Sequence, residues 1–166
     1  MAPPTAQFRA FTLLELVLVL AIIASALAMV AATVSGFARG QRADNAARQF
    51  VALTRWARSQ AVTDGVSYQL KVDTSAGQWQ LSVQAPASDS FIESPSPFGR
   101  VFSVPEGVEI QAELPITDGQ QTITFDPTGR CDTGTLHFTG YGSDVTVACS
   151  APVEVYRILK DNGGSL

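Results

Sequence analysis

Glu15 stands inside an apolar stretch that begins at Phe11, runs to about Val34 and carries no other charge. Its longest uncharged part, Leu16 to Val34, is about 19 residues with Ser25 and Thr33 as its hydroxyls. At about 1.5 Å of rise per residue, a helix of that length crosses the hydrocarbon core of a bilayer. A carboxylate at such depth costs roughly 2.5–3.5 kcal/mol on insertion scales, so it marks a functional site and calls for a partner. The segment therefore predicts a membrane helix with one built-in polar contact. Basic residues do not orient it: Arg9 precedes it, and Arg39, Arg42 and Arg48 follow.

The rest of the chain has room for one modest domain. At 166 residues, length supplies a single core beside the apolar segment. Eleven basic residues against 15 acidic ones argue against a general phosphate-binding surface, and nucleic acid is not expected as a partner. Arg100, Arg130, Arg157 and Lys160 are scattered through an acidic background, and the arginines at 42–58 read as a solvated face.

Helical periodicity continues past the apolar run. Ala43, Ala47, Phe50, Leu53, Ala57 and Ala61 recur at three- and four-residue steps, with Arg42, Gln49, Arg55 and Arg58 between them. One helix from about Thr12 to Val62 is expected, softened at Gly36 and Gly40 and ended by Asp64-Gly65. Beyond it the period becomes alternating. Val66 to Val72 and Trp79 to Ala85 read as a hairpin around a turn at Thr74 to Gly77. Further runs are Val108 to Leu114, Ile123-Phe125, Leu136-Phe138, Val145-Val147 and Val153-Val155, separated by turn signals at Asp118-Gly119, Asp126 to Gly129 and Gly140 to Ser143. Ala85 to Arg100, rich in Ser and Pro, reads as an exposed loop whose Phe91, Ile92 and Phe98 either offer contacts or tuck back onto the sheet, and Asp161 to Leu166 as a polar tail. The fold class is α+β: a long N-terminal helix packed on a C-terminal antiparallel β-sheet or β-sandwich domain of about seven or eight strands.

Catalytic chemistry has little to stand on. His137 is the sole histidine, and alternation within Leu136-His137-Phe138 points it away from the core. Asp126, Asp132 and Asp144 lie near turns, with spacing that matches no calcium loop, and turn chemistry accounts for each. No Walker loop, paired-cysteine zinc signature or nucleophile elbow occurs, so no enzyme activity, cofactor or metal is expected. Cys131 and Cys149 are the two cysteines. Beyond a membrane they read as a candidate disulfide closing a loop of about 18 residues; two buried free thiols are the other reading.

The start Phe11-Thr12-Leu13-Leu14-Glu15, followed by LVLVLAIIASALA, resembles that of type IV pilins and type II secretion pseudopilins. The resemblance implies a leader over 1–10 cut between Ala10 and Phe11, N-methylation of Phe11, and pairing of Glu15 with the amine of a neighbouring subunit. Ala10 stands where the family normally has Gly. Ala57 to Ala61 with Gly65, and Thr124 to Arg130, are similar to patterns of the H-type minor pseudopilin group, which also holds minor type IV pilins. The implied organisation is a leader over 1–10, a transmembrane and filament-core helix over 11–35, an amphipathic helix over 36–64 and a periplasmic β-rich domain over 65–166. Implied partners are other major and minor pseudopilins, the prepilin peptidase and methyltransferase, and an inner-membrane assembly platform. The implied place is the bacterial inner membrane, single-pass, with incorporation into the pseudopilus.

Two other functions fit the same residues. One is a minor type IV pilin serving pilus assembly, adhesion or DNA uptake. The other is a secreted soluble binding protein whose apolar start is a signal peptide cut after Ala26-Leu27-Ala28, leaving Met29 as the first residue.

Overall fold

The computed structural model describes residues 13–86 and 88–159, with residues 29–40 as helical backbone alone. Helix α1 spans Leu13–Asp64 and is assigned without a break through Gly36 and Gly40. The chain divides into two compact units, Met1–Ala38 and Arg39–Leu166.

In the first unit every described side chain from Leu13 to Ala28 is exposed, including Leu13, Leu16, Leu18 and Leu20. Among the described residues no helix is long and apolar enough to cross a membrane; residues 29–34, which would complete the predicted span, are not among the side chains described.

The second unit is built on the helix stripe. Ala43, Ala47, Phe50, Leu53, Ala57 and Ala61 are all buried, as their spacing predicts. Alanine at four of these six positions presents only a methyl group and lets neighbouring elements come close, so the largest buried residue of the stripe is Phe50. Its ring meets Trp79 edge-on at 5.5 Å, Phe138 at 5.8 Å and Tyr156 at 6.4 Å between centroids. The helix stops where Gly65 adopts φ 67° and donates its N–H to the Ala61 carbonyl, satisfying one of the terminal acceptors. Asp64 sits unfavourably at the negative end of the helix dipole. It is held there by hydrogen bonds from Tyr68 Oη (2.7 Å) and Gln60 Nε2 (3.0 Å), which keep its carboxyl below the usual range. Burial, with Asp64 as acceptor, pushes the Tyr68 hydroxyl up to about 12.

Two antiparallel sheets follow. The first contains β1 (Tyr68–Asp73), β2 (Gln78–Gln84), β3 (Phe91–Glu93), β4 (Phe102–Ser103), β6 (Ile116–Thr117) and β7 (Gln120–Phe125), in the order β3-β2-β1-β7-β6 with β4 also paired to β2. The second contains β5 (Glu109–Glu113), β8 (Gly134–Gly140), β9 (Ser143–Cys149) and β10 (Arg157–Leu159), in the order β10-β9-β8-β5. Two of the expected turns are two-residue hairpin connections. Asp118-Gly119 and Tyr141-Gly142 each take two successive positive φ values, 53° and 77° in one and 52° and 79° in the other. That geometry matches the twist of the strands each turn joins.

Three expectations need correction. Ten strands occur among the described residues rather than seven or eight, because β3, β4 and β6 are two- or three-residue edge pieces whose periodicity is too short to read. The Ala85 to Arg100 segment is not all loop: Phe91–Glu93 pairs with β2, and Phe98 packs against Trp56 at 4.7 Å between ring centroids. Val153-Val155 alternates but forms no strand. It lies in a turn closed by the Glu154 N–H on the Ala151 carbonyl, and the last strand is Arg157–Leu159.

Candidate functional site

The predicted processing residues Ala10 and Phe11 lie outside the described residues. Glu15 is in the first turn of α1, exposed, with Leu14 and Leu16 on either side. A carboxylate there is favoured by the positive end of the helix dipole, although the exposed apolar side chains around it are those of a hydrocarbon-facing surface. The geometry thus joins an acidic group to a helix end otherwise composed of exposed Leu, Val and Ile.

Cys131 and Cys149 are brought together by the second unit. Cys149 ends β9, and Cys131 makes an isolated bridge with Phe125 while its N–H donates to the Pro152 carbonyl. Both are buried thiols, with sulfurs 3.6 Å apart. Burial, reinforced by the contact with Cys149, pushes the Cys131 thiol up, so it resists ionisation. Tyr156 covers the pair from the core side, its hydroxyl donating to the Asp132 carbonyl at 2.9 Å, and burial raises that hydroxyl as well.

The turn at 151–156 beside the cysteines is held by a residue the sequence placed on a solvated face. Arg58 is half-buried and donates through Nη1 to the Glu154 carbonyl and through Nη2 to the Val153 carbonyl, the latter at 2.9 Å. Arg42 likewise turns inward, donating to the Glu106 carbonyl at 3.2 Å and lying 5.5 Å from the centroid of the Tyr141 ring. Both are corrections to the reading of the helix arginines as solvent-facing: each clamps a loop whose carbonyls otherwise lack strand partners. The stripe spacing excludes these residues from the apolar face but carries no signal for the distant loops they reach.

The remaining candidates stay apart. His137 is half-buried on the side of β8 opposite Leu136 and Phe138, with Nδ1 3.0 Å from Thr146 Oγ1. Asp126 accepts from the Thr128 hydroxyl and from the Thr128 and Arg130 N–H groups, while Asp132 accepts from the Thr124 N–H. Each carboxylate is thus engaged in shaping its own turn. Asp144 pairs with Thr139 across the β8–β9 hairpin. No group of three or more His, Cys, Asp or Glu able to hold a metal occurs among the described residues. Arg100 lies over the Phe102 ring and Arg130 lines a recess with Asp126 and Asp132, so they share no patch with Arg157; Lys160 lies outside the described residues.

Comparison with known proteins agrees with this architecture. The family model described as Type II transport protein GspH matches residues 46–152. Type II secretion system protein H of Xanthomonas campestris pv. campestris is 34% identical over 74 residues, covering 45% of this chain and 44% of that protein. Among solved structures, the minor pseudopilin EpsH from the type 2 secretion system of Vibrio cholerae superposes with a TM-score of 0.61 at 15% identity, over 73% of this chain and 98% of that one. The type IV minor pilin FimU of Pseudomonas aeruginosa superposes with a TM-score of 0.52 at 15% identity, over 70% of this chain and 87% of that one. At such identities the structural likeness concerns the fold.

Proposed function

The chain belongs to the Type II transport protein GspH family, and from that membership we propose that it is a minor pseudopilin of a type II secretion system. The observation that carries the reading is the position of the match. It covers the helix stripe from Ala47 to Ala61 and most of both sheets, and it follows a pilin-like start at Phe11 to Glu15.

In this reading residues 1–10 are a leader removed by a prepilin peptidase, and Phe11 is the methylated first residue. Residues 11–35 cross the inner membrane and later enter the filament core, 36–64 continue the helix, and 65–166 fold in the periplasm. Glu15 meets the Phe11 amine of a neighbouring subunit. A secondary amine keeps its positive charge, and two opposite charges a few Å apart in low dielectric attract far more strongly than in water, which offsets the cost of burying them. The work of assembly is mechanical and supplied by an assembly platform; this chain supplies a helix to polymerise and a surface to recognise other pseudopilins. Cys131 and Cys149, already facing each other, are bridged after export into the oxidising periplasm.

The test is the amino terminus and mass of the protein from its native membrane, followed by Glu15→Ala. A chain beginning at methylated Phe11, with Glu15→Ala inserted in the membrane but missing from filaments, is the expected result. A chain beginning at Met29, or normal incorporation of Glu15→Ala, overturns the mechanism. The second reading, a minor type IV pilin, is favoured by the likeness to FimU in fold. Deletion separates the two: loss of protein export with intact pili supports secretion, and loss of pili with intact export supports the pilin.

A further inference from the structure

Two hairpin turns of the same geometry carry different residues. Asp118 takes φ 53° in one and Tyr141 φ 52° in the other, each followed by a glycine. Asn, Asp and Gly suit that first position because they tolerate left-handed backbone, whereas a tyrosine there is strained. Core packing does not repay the strain: Tyr141 is 48% exposed, and its hydroxyl makes no hydrogen bond with a described residue. Strain kept under an exposed side chain points to a use outside the fold.

The ring is nevertheless held in one place. Arg42 lies over it at 5.5 Å from the centroid, and Gly107, at φ 80°, comes so near that a Cβ there would collide with the Tyr141 hydroxyl. Arg42 spends one guanidinium N–H on the Glu106 carbonyl, and among the described residues its other N–H groups meet no acceptor. Helix α1, the loop at 105–107 and the β8–β9 turn thus converge on an exposed aromatic ring beside an arginine. Their place in the chain indicates what lies next to them. After Glu15 the first charge is Arg39, and Arg42 follows it by about 4.5 Å of helix. The headgroup layer outside the hydrocarbon is about 5–7 Å deep on each side of a bilayer.

We propose that the Tyr141 turn docks on the bilayer surface while the subunit is held in the membrane, with the Tyr141 ring at headgroup level and Arg42 on a lipid phosphate. The proposal rests on the reading of residues 11–35 as a membrane helix. Tyrosine suits this place because its ring is apolar and its hydroxyl polar, matching the two sides of the boundary. Glu106 and Asp144, exposed in the same loop and hairpin, offset the charge of Arg42. The partner is therefore a zwitterionic headgroup surface, since an anionic one is recognised by clustered basic residues. Docking gives the domain a second hold on the membrane besides its helix, and that hold is released when the subunit is drawn into a filament.

The experiment uses the full chain reconstituted into phosphatidylcholine vesicles whose acyl chains carry bromine near the headgroup end. Tyr141→Trp supplies the reporter, read as emission added to that of Trp56 and Trp79 in the parent chain. Val153→Trp is the control: it is exposed, and Arg58, which holds its carbonyl, follows Arg42 by about 24 Å of helix. The expected result is that bromine quenches most of the Tyr141→Trp emission and little of the Val153→Trp emission, and that adding Arg42→Gln reduces the quenching several-fold. In detergent, Tyr141→Asn should raise the melting temperature, because asparagine suits the turn. A fall would mean that the ring serves the fold, and overturns the proposal, as does quenching unchanged by Arg42→Gln. Vesicle flotation reads the membrane helix separately. A chain that does not float fails that reading and the proposal together, whereas a chain that floats with Tyr141→Trp no more quenched than Val153→Trp overturns the proposal alone. Tyr141→Trp emission that moves to the blue only when other pseudopilins are added would assign the turn to a protein neighbour and likewise overturn it.

Discussion

Two stretches of helix α1 have opposite environments. From Leu13 to Ala28 every side chain is exposed, whereas from Ala43 to Ala61 the apolar positions are buried against Phe138, Trp79 and the rest of the core. The backbone class is the same, and the difference lies in how apolar residues are distributed around the axis. Where they surround it, no single neighbouring sheet can cover them, and the helix needs an apolar medium or other helices. Where they form one stripe, two sheets suffice. The first stretch is thus made for surroundings outside its own chain, and the second for the interior of its own domain.

The sharpest way to break this contrast is to remove one apolar side chain from each stretch. Phe50→Ala should cost about 3–5 kcal/mol in urea unfolding followed by the fluorescence of Trp56 and Trp79, while Leu18→Ala should shift the same transition by no more than about 0.5 kcal/mol. Equal effects would mean that the first stretch also stabilises the domain.

Next in size is the bridge proposed inside the buried unit. If Cys131 and Cys149 are linked in protein from its native compartment, reduction should lower stability by roughly 3 kcal/mol, as a loop of this length implies. Peptide mapping without reductant that finds both thiols alkylatable would remove the effect and the bridge together.

Arg58→Ala should cost about 2 kcal/mol, since charge-assisted hydrogen bonds to the Val153 and Glu154 carbonyls are lost and those acceptors are left in a half-covered turn. Arg55→Ala, one turn earlier and exposed, should leave the unfolding midpoint nearly unchanged. Gly65→Ala should cost about 1 kcal/mol, because a Cβ is strained at φ 67° even where no atom lies within 4 Å of it. Circular dichroism of the helix band on heating reads this change.

The smallest effect is acid sensitivity. Hydrogen bonds hold Asp64, Asp73 and Asp126 below the ordinary carboxylate range: from Tyr68 and then Gln60 in the first, from Ser75 and then Ala76 in the second, and chiefly from Thr128 in the third. A depressed folded value stabilises the fold above the unfolded pKa of about 3.9 and is lost as pH falls through the folded value. Melting temperature should therefore decline below pH 4 and be flat above about pH 5; Asp64→Asn should make that decline shallower.

Local pattern carried much of the architecture. The three- and four-residue steps from Ala43 to Ala61 locate a buried stripe, Asp64-Gly65 locates its end, and Asp118-Gly119 and Gly140 to Ser143 locate two hairpin turns, because each signal is complete within a few residues. Phe11 to Glu15 and the uncharged run behind it carry the resemblance to pilin-like chains, whereas the family match lies over residues 46–152. Other features depended on residues far apart in sequence. Val153-Val155 and Arg157-Ile158-Leu159 are both short apolar-containing runs, and what separates them is that β9 offers a partner edge to the second, whereas Arg58, 95 residues from Val153 in sequence, draws the first into a turn. The approach of Cys131 to Cys149 and the half-buried place of Arg42 arise in the same way. Strand order and long-range hydrogen bonds depend on which surfaces meet in space, and a period of two or 3.6 residues carries no information about that.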